Sequence, residues 1–373
     1  MHDQRLPTTH VPLARATAAT APDRAPHLAV SLTAQHGPHH ASVRPGAHWA
    51  ALARQAESAG ADFVTAGPVT GDDAGLDPCA ALAYTAPLTT RLGLVPALTP
   101  THGEPLHLSA AIATLDHMSA GRAGWYVTPA SLSTALASPD DTELWNEARH
   151  VVSAAAQLWE SWEPDAEIRD TAAGRFIDRA RIRHIDYRSD LFSIRGPSYV
   201  PRPPQGRPVI VTGLRETSPP EQWATAAELA DVILVQAHTA AAVDAVRRQV
   251  VRRARGAGRP PGQPRCLWSV DMTTARPGSP GGVTGSAPEP ASSNALGLSG
   301  TALLEQLTEW HREGIADGYH FVPATPDDLP AILATLTSVL RRLRPLSTLS
   351  TATTLRGRLG LPAPHEIRTA PTP

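Results

Sequence analysis

Apolar residues recur along this chain with two alternating periods. Short apolar runs stand at His27–Leu32, Asp62–Ala66, Arg91–Leu98, Ala123–Val127, Pro208–Thr212, Asp231–Gln236, Arg265–Met272 and Gly318–Val322. Each reads as a strand buried on both faces. Between them the spacing lengthens to that of a helix face. In Pro105–Met118, Leu108, Ile112, Leu115 and Met118 fall on one side. Pro105 suits the first helical position, where no N–H is needed, and Gly121 suits the left-handed turn that ends a helix. Comparable spacing predicts helices over Ala47–Ala59, Pro78–Ala86, Thr142–Trp162, Glu221–Ala230, Ala240–Arg255 and Leu298–Gly314, and a final helix through Leu340. Strand–helix alternation with short connections implies parallel pairing. Eight such units favour a closed α/β structure, the (β/α)8 TIM barrel, over an open sheet. Chemistry is then expected where strands end and helices begin.

Two segments break the rhythm. Residues 163–206 carry alternating apolar positions over Ile185–Ile194, then Gly-Pro and a proline-rich run. They read as an inserted hairpin and loop over one barrel mouth. A second insertion, at about 273–298, is rich in Gly, Pro and Ser. Residues 1–26 are polar and rich in Pro, Thr and Ala, which predicts a disordered tail. They also lack the apolar centre of a secretory signal. The expected organisation is that tail, one barrel domain over 27–345 with both insertions, and a C-terminal tail, 346–373, packing on the barrel.

Composition narrows the function. The chain has 373 residues, 42% of them apolar, which is enough for one large core. A net charge of −2 gives no electrostatic case for nucleic acid or an anionic membrane. No apolar run reaches the roughly 18 residues of a membrane span. The two cysteines, Cys79 and Cys266, make neither a disulfide framework nor a zinc site alone. A cytoplasmic enzyme is the expectation. Lysine is absent, and every basic side chain besides histidine is arginine. Schiff-base aldolases, pyridoxal-phosphate enzymes and P-loop phosphate binders are thereby excluded.

The segment Leu115–Thr128, Leu-Asp-His-Met-Ser-Ala-Gly-Arg-Ala-Gly-Trp-Tyr-Val-Thr, resembles a signature of the bacterial-luciferase-like flavin-dependent monooxygenases. The nearest branch is the one holding nitrilotriacetate and dibenzothiophene-sulfone monooxygenases. Leu158-Trp-Glu-Ser-Trp162, Phe192 with Gly196-Pro197, Pro204–Val209, Asp317-Gly318-Tyr319 and Thr354–Pro362 follow in that family's order. The resemblance runs from about His27 to Pro364. It implies a barrel that binds reduced FMN at its carboxyl-end mouth, a separate flavin reductase, a small organic substrate and O2, and often a homodimer.

It also points to site residues. Thr99 matches a hydroxyl that contacts the flavin, with Thr101 two residues on. Gly213 matches the glycine before the phosphate-binding serine. Ser218 matches that serine only with a shift, and Arg215 offers charge in its place. Tyr126 replaces the family's asparagine, and is read as stacking on a ligand, filling the isoalloxazine slot, or facing the core with its hydroxyl at the rim. Further departures stand at Gly67, Leu144-Trp145 and Tyr187. His36, beside His39 and His40, and His238, beside Gln236, are candidates for acid–base or substrate contact. No metal is expected. Asp116 and Arg122 are read as structural. Two readings remain open. One is an FMNH2-dependent monooxygenase. The other is a flavin-free or non-catalytic barrel: a small-molecule binder, a partner subunit or a repurposed enzyme.

Overall fold

The structure is a computed structural model. It describes residues 25–33, 46–67, 76–101, 103–129, 141–272, 300–324, 328–344 and 350–364. His36, His39, His40, the insertion at 273–298 and all but the last two residues of the expected N-terminal tail lie outside these.

Eight parallel strands close into the expected barrel. They are β1 (His27–Ser31), β2 (Phe63–Ala66), β3 (Gly93–Leu98), β4 (Gly124–Val127), β9 (Val209–Leu214), β10 (Val232–Val235), β11 (Arg265–Met272) and β12 (Gly318–Pro323). Between β4 and β9 lie β5 (Glu167–Asp170), β6 (Arg175–Ile177), β7 (Tyr187–Arg188) and β8 (Ser193–Ile194). The helices are α1 (Gly46–Ala59), α2 (Pro78–Thr85), α3 (Pro105–Met118), α4 (Asp141–Glu160), α5 (Pro220–Glu228), α6 (Ala240–Gly256), α7 (Gly300–Arg312), α8 (Leu329–Leu343) and the short α9 (Leu355–Arg358). Helix α6 shows why they form. Thr239 caps its first turn by accepting from Ala242 N, and Val243, Val246, Val250 and Ala254 recur on its buried face.

Alternate strand positions fill the barrel. Ala29, Phe63, Val95, Val209, Val211, Val232, Leu234 and Leu267 make its interior, and Leu355, Leu359 and Leu361 close it from the amino-end side, the base. Outward positions pack on the helices. Trp125 is buried edge-on against Trp159 of α4, with ring centroids 6.5 Å apart. Its indole N–H donates to Leu98 O at 3.0 Å, tying β4 to the end of β3.

One joint recurs at the base. Asp62, Asp231 and Asp317 each follow an alanine and each precede a strand. Asp62 N donates to Leu28 O while its carboxylate accepts from Leu28 N. Asp231 makes the same reciprocal pair with Ile210, and Asp317 with Cys266. Each aspartate's own carbonyl then accepts from the neighbouring strand, at Gly93, Arg265 and His27 respectively. Two of these carboxylates carry a forked arginine. Arg344 binds Asp62 at 2.6 and 2.8 Å, and Arg356 binds Asp231 at 2.7 and 3.1 Å. Burial pushes both carboxyls up, but His27 and Arg344 at Asp62, and Arg356 and Arg259 at Asp231, hold them below the usual range. Asp116 and Arg122 are structural in the same sense. Asp116 accepts from Ala123 N and from Gln205, while Arg122 donates to Ser119, Thr89, Leu92 and Ala86.

The first insertion forms two short antiparallel pairs, β5–β6 and β7–β8, and its described hydrogen bonds lie at the base of the barrel and along α4. The chain leaves α4 at Glu160, where an antiparallel helix has already returned to the base. There Trp162 donates to Ser198 O at 2.8 Å and Arg202 to Trp162 O, while His117, at the base end of α3, contacts Pro201 O. The insertion climbs the flank of α4 only as far as His150, whose Nδ1 lies 2.7 Å from the Tyr187 hydroxyl.

Candidate active site

A cleft of about 230 Å3 opens at the carboxyl ends of β4 and β9. Tyr126, Val127, Thr128 and Pro129 form one wall, Leu144 and Trp145 of the first turn of α4 a second, and Gly213, Gln222 and Gln236 the floor. The strand ends meet there because β4 pairs with β9 at Tyr126–Val211 and Val127–Thr212, and β9 with β10 at Leu234–Gly213. Inward alternation carries Tyr126 into the barrel, where its ring packs against the interior cluster.

The floor is polar and ordered. Gln222 Nε2 donates to Gly213 O at 2.8 Å. Arg215 Nε donates to Gln236 Oε1 at 2.7 Å, and Arg215 N donates to Ser218 Oγ at 3.0 Å. Burial pushes the Tyr126 hydroxyl above its ordinary pKa, with the Arg215 charge pulling weakly the other way. The hydroxyl therefore stays protonated at neutral pH, as a donor.

These contacts sort the residues singled out in the sequence. Tyr126 and Gly213 line the cleft, Arg215 reaches it through Gln236, and Ser218 braces Arg215. Thr99 and Thr101 bond to each other at 2.9 Å but do not line it. His238 is exposed on the loop after β10 and does not line it either. Trp145 lines it together with Tyr126, so these two departures from the family pattern border one cleft. Tyr187 does not belong with them. It stacks on Phe192 at 5.7 Å and bonds to His150 on the barrel's flank. Gly67 has a packing reason. Its φ is +144°, and a Cβ there would stand 2.6 Å from Ala97 Cβ. Gln222 was not singled out from the sequence, because nothing in a helix's polar turn marks which side chain folds back onto a strand carbonyl.

A second polar group went unread. His320, inward on β12, lies 3.0 Å from Thr65 Oγ1 through Nε2 and 3.2 Å from Ser269 Oγ through Nδ1. Burial drives its pKa down to about 3, so the imidazole is neutral. A histidine at an inward position of an apolar strand is the signal that could have found it.

With the geometry in place, known proteins can be compared. A family model described as luciferase-like monooxygenase matches residues 27–276. The chain belongs to the luciferase-like monooxygenase family. N-acetyl-S-(2-succino)cysteine monooxygenase of Bacillus subtilis (strain 168) is 37% identical over 163 residues, 42% of this chain and 36% of that protein. Dibenzothiophene-sulfone monooxygenase of Rhodococcus erythropolis is 32% identical over 202 residues, 52% of this chain and 44% of that protein. The chain thus spans less than half the length of either relative. Among solved structures, EDTA monooxygenase from Chelativorans sp. BNC1 superposes with a TM-score of 0.73 at 18% identity, over 91% of this chain and 99% of that one. The resemblance read from the motifs is therefore membership, and the barrel is the family's fold.

The luciferase-like frame lets the flavin be tested against the residues present. The ring end fits: aromatic walls at Tyr126 and Trp145 border a floor that offers donors at Tyr126 Oη and Gln236 Nε2. The volume lies below the roughly 300–1,000 Å3 usual for a whole ligand, so the described walls enclose a ring-sized portion. The phosphate end fits more thinly. The exposed Arg215 guanidinium and the Ser218 hydroxyl are available. Pro219 and Pro220, however, open α5 without N–H groups, and Glu216 and Glu221 stand beside them.

Proposed function

We propose that this protein is the oxygenase of a two-component, flavin-dependent monooxygenase that takes reduced FMN from a separate reductase and acts on a small organic molecule. Family membership supports the class of reaction. The observation that carries the reading is the cleft at the barrel's carboxyl ends, with aromatic walls and uncharged donors in its floor. Reduced flavin, when bound, supplies the electrons by which one atom of dioxygen enters the substrate and the other leaves as water. The chain supplies position and dryness. Tyr126 and Trp145 exclude water from the ring end, Gln236 and Tyr126 offer donors to it, and Arg215 with Ser218 offers charge and a hydroxyl to the phosphate. Anaerobic titration with reduced FMN tests this. Saturable binding is expected, weakened by Arg215→Ala; no binding up to high micromolar concentration overturns it.

A second reading, a barrel that works without flavin, is favoured by one observation. The turn that would hold the phosphate is followed by two prolines and flanked by two glutamates. The same titration separates the two readings.

A further inference from the structure

Gln236 presents its amide to the cleft in one sense only. Arg215 Nε, which can donate and never accept, stands 2.7 Å from Gln236 Oε1. That turns Nε2 toward the bare face of Gly213, where a Cβ would lie 3.3 Å from it. The same missing Cβ would lie 3.2 Å from the Tyr126 hydroxyl. No described residue pairs with that hydroxyl. The Gly213 carbonyl is already taken by Gln222, so it does not compete for either donor. Two donors from two strands thus flank the bare backbone of Gly213 at the floor of the cleft, where a side chain would crowd both.

We propose that Tyr126 and Gln236 form a two-donor cradle for a single carbonyl-type oxygen, with Arg215 as the positioning residue that fixes the Gln236 amide. Neutral donors set side by side at the cleft floor suit an oxygen of partial negative charge, as in an oxyanion hole. None of the residues lining the cleft is charged, which suits a neutral ligand. The oxygen belongs either to a ring carbonyl of the flavin or to the substrate, and the cradle's chemistry is the same for both. The proposal rests on the mouth being the ligand site, as in the function proposed above; the flavin arm alone rests on flavin being the ligand.

The test compares wild type with Tyr126→Phe, Gln236→Leu and Arg215→Leu as full chains. Each is titrated anaerobically with reduced FMN, and separately with cyclohexanone and its oxygen-free isostere methylenecyclohexane. Loss of one donor is expected to weaken one oxygen-bearing probe about five- to tenfold while changing the isostere less than about twofold. Weakening of cyclohexanone assigns the oxygen to the substrate, and weakening of reduced FMN assigns it to the flavin ring. Where the ketone is the probe weakened, Arg215→Leu should lower the ketone-to-isostere ratio of the otherwise wild-type chain and add nothing in the Gln236→Leu background, a non-additivity that general destabilisation would not produce. Failure of reduced FMN to bind with the ketone arm intact removes the monooxygenase reading and keeps the cradle. Equal binding of every probe by wild type and Tyr126→Phe, or binding of none of them by wild type, overturns it.

Discussion

At the base of the barrel, Asp231 accepts from Arg356 twice, from Arg259 and from Ile210 N; at the mouth, the Tyr126 hydroxyl faces a cleft and meets no described partner. Asp62 repeats the first arrangement with Arg344 and Leu28, and the Gln236 amide repeats the second, with one end held and the other open. Polar side chains thus serve the two ends in different ways. Where polar groups close on one another they set the register of the strands. Where they stop short they leave hydrogen-bonding capacity for something else. The contrast can be broken by substitutions that should be costly at one end and silent at the other.

The largest effect belongs to Asp231→Asn. It leaves the buried Arg356 and the nearby Arg259 facing a neutral amide. Removing one partner of a buried pair costs about 3–5 kcal/mol, because the stranded charge remains out of water. Urea unfolding of wild type and variant measures it. A loss below about 1 kcal/mol would show that the base is held by its apolar plug, Leu355, Leu359 and Leu361, and that the aspartate joints are incidental.

Next comes an effect that pH alone brings out. His320 is neutral in the fold, with its pKa lowered to about 3 from 6.5. The unfolded chain therefore binds a proton at this residue that the folded chain refuses. Stability falls as pH drops below 6.5 and goes on falling toward 3, at up to about 1.4 kcal/mol per pH unit. Asp62 and Asp231 have lowered pKa values, so their contribution is intact above the ordinary carboxylate value of 3.8 and is lost only as pH falls through and below it. Burial pushes the Asp116 carboxyl up, which adds a slope of opposite sign, but Asp116 is common to both proteins, so the difference between them from pH 6 to 4.5 isolates His320. His150, lowered by burial and by Arg149, adds a slope of the same sign, but it is part-exposed and common to both proteins. Unfolding midpoints of wild type and His320→Gln across that interval should diverge, with the variant flatter. Parallel curves would place the imidazole in contact with solvent.

Which of these features the amino-acid order reveals follows from the range of the physics involved. Strands and helices are written in local periodicity, so the run from Pro105 to Met118 is bounded by the residues that bound α3. The repeated Ala-Asp before β2, β10 and β12 is just as visible, yet its meaning is not local. Each carboxylate acts on the strand before its own, and only parallel pairing across the intervening helix brings the two together. The end of the barrel at which the insertion starts follows from topology rather than from local pattern. A segment that follows a barrel helix starts at the base. At the mouth, motif matching led to Gly213, Tyr126 and the turn at Arg215–Ser218, because those positions lie at strand ends. It could not separate Tyr126 and Trp145, which line one cleft, from Tyr187, which departs equally from the pattern but lies on the flank. Thr99 and His238 show the same limit. A strand end brings a residue near the mouth, and the next turn of the chain decides whether its side chain looks in.

The smallest expected effect is the one that sharpens the contrast most. Tyr126→Phe removes a single oxygen from a half-buried ring and leaves the ring's packing against the barrel interior in place. If that oxygen bonds to nothing in the folded protein, its loss forfeits no interaction and spares the cost of holding a hydroxyl at a partly desolvated site. The change in unfolding free energy should then stay within about 0.5 kcal/mol of zero, on either side. A destabilisation above about 1 kcal/mol would mean that the hydroxyl already has a partner in solution. The mouth would then be as closed as the base, and the donors over Gly213 would be ties within the fold rather than an opening for a ligand.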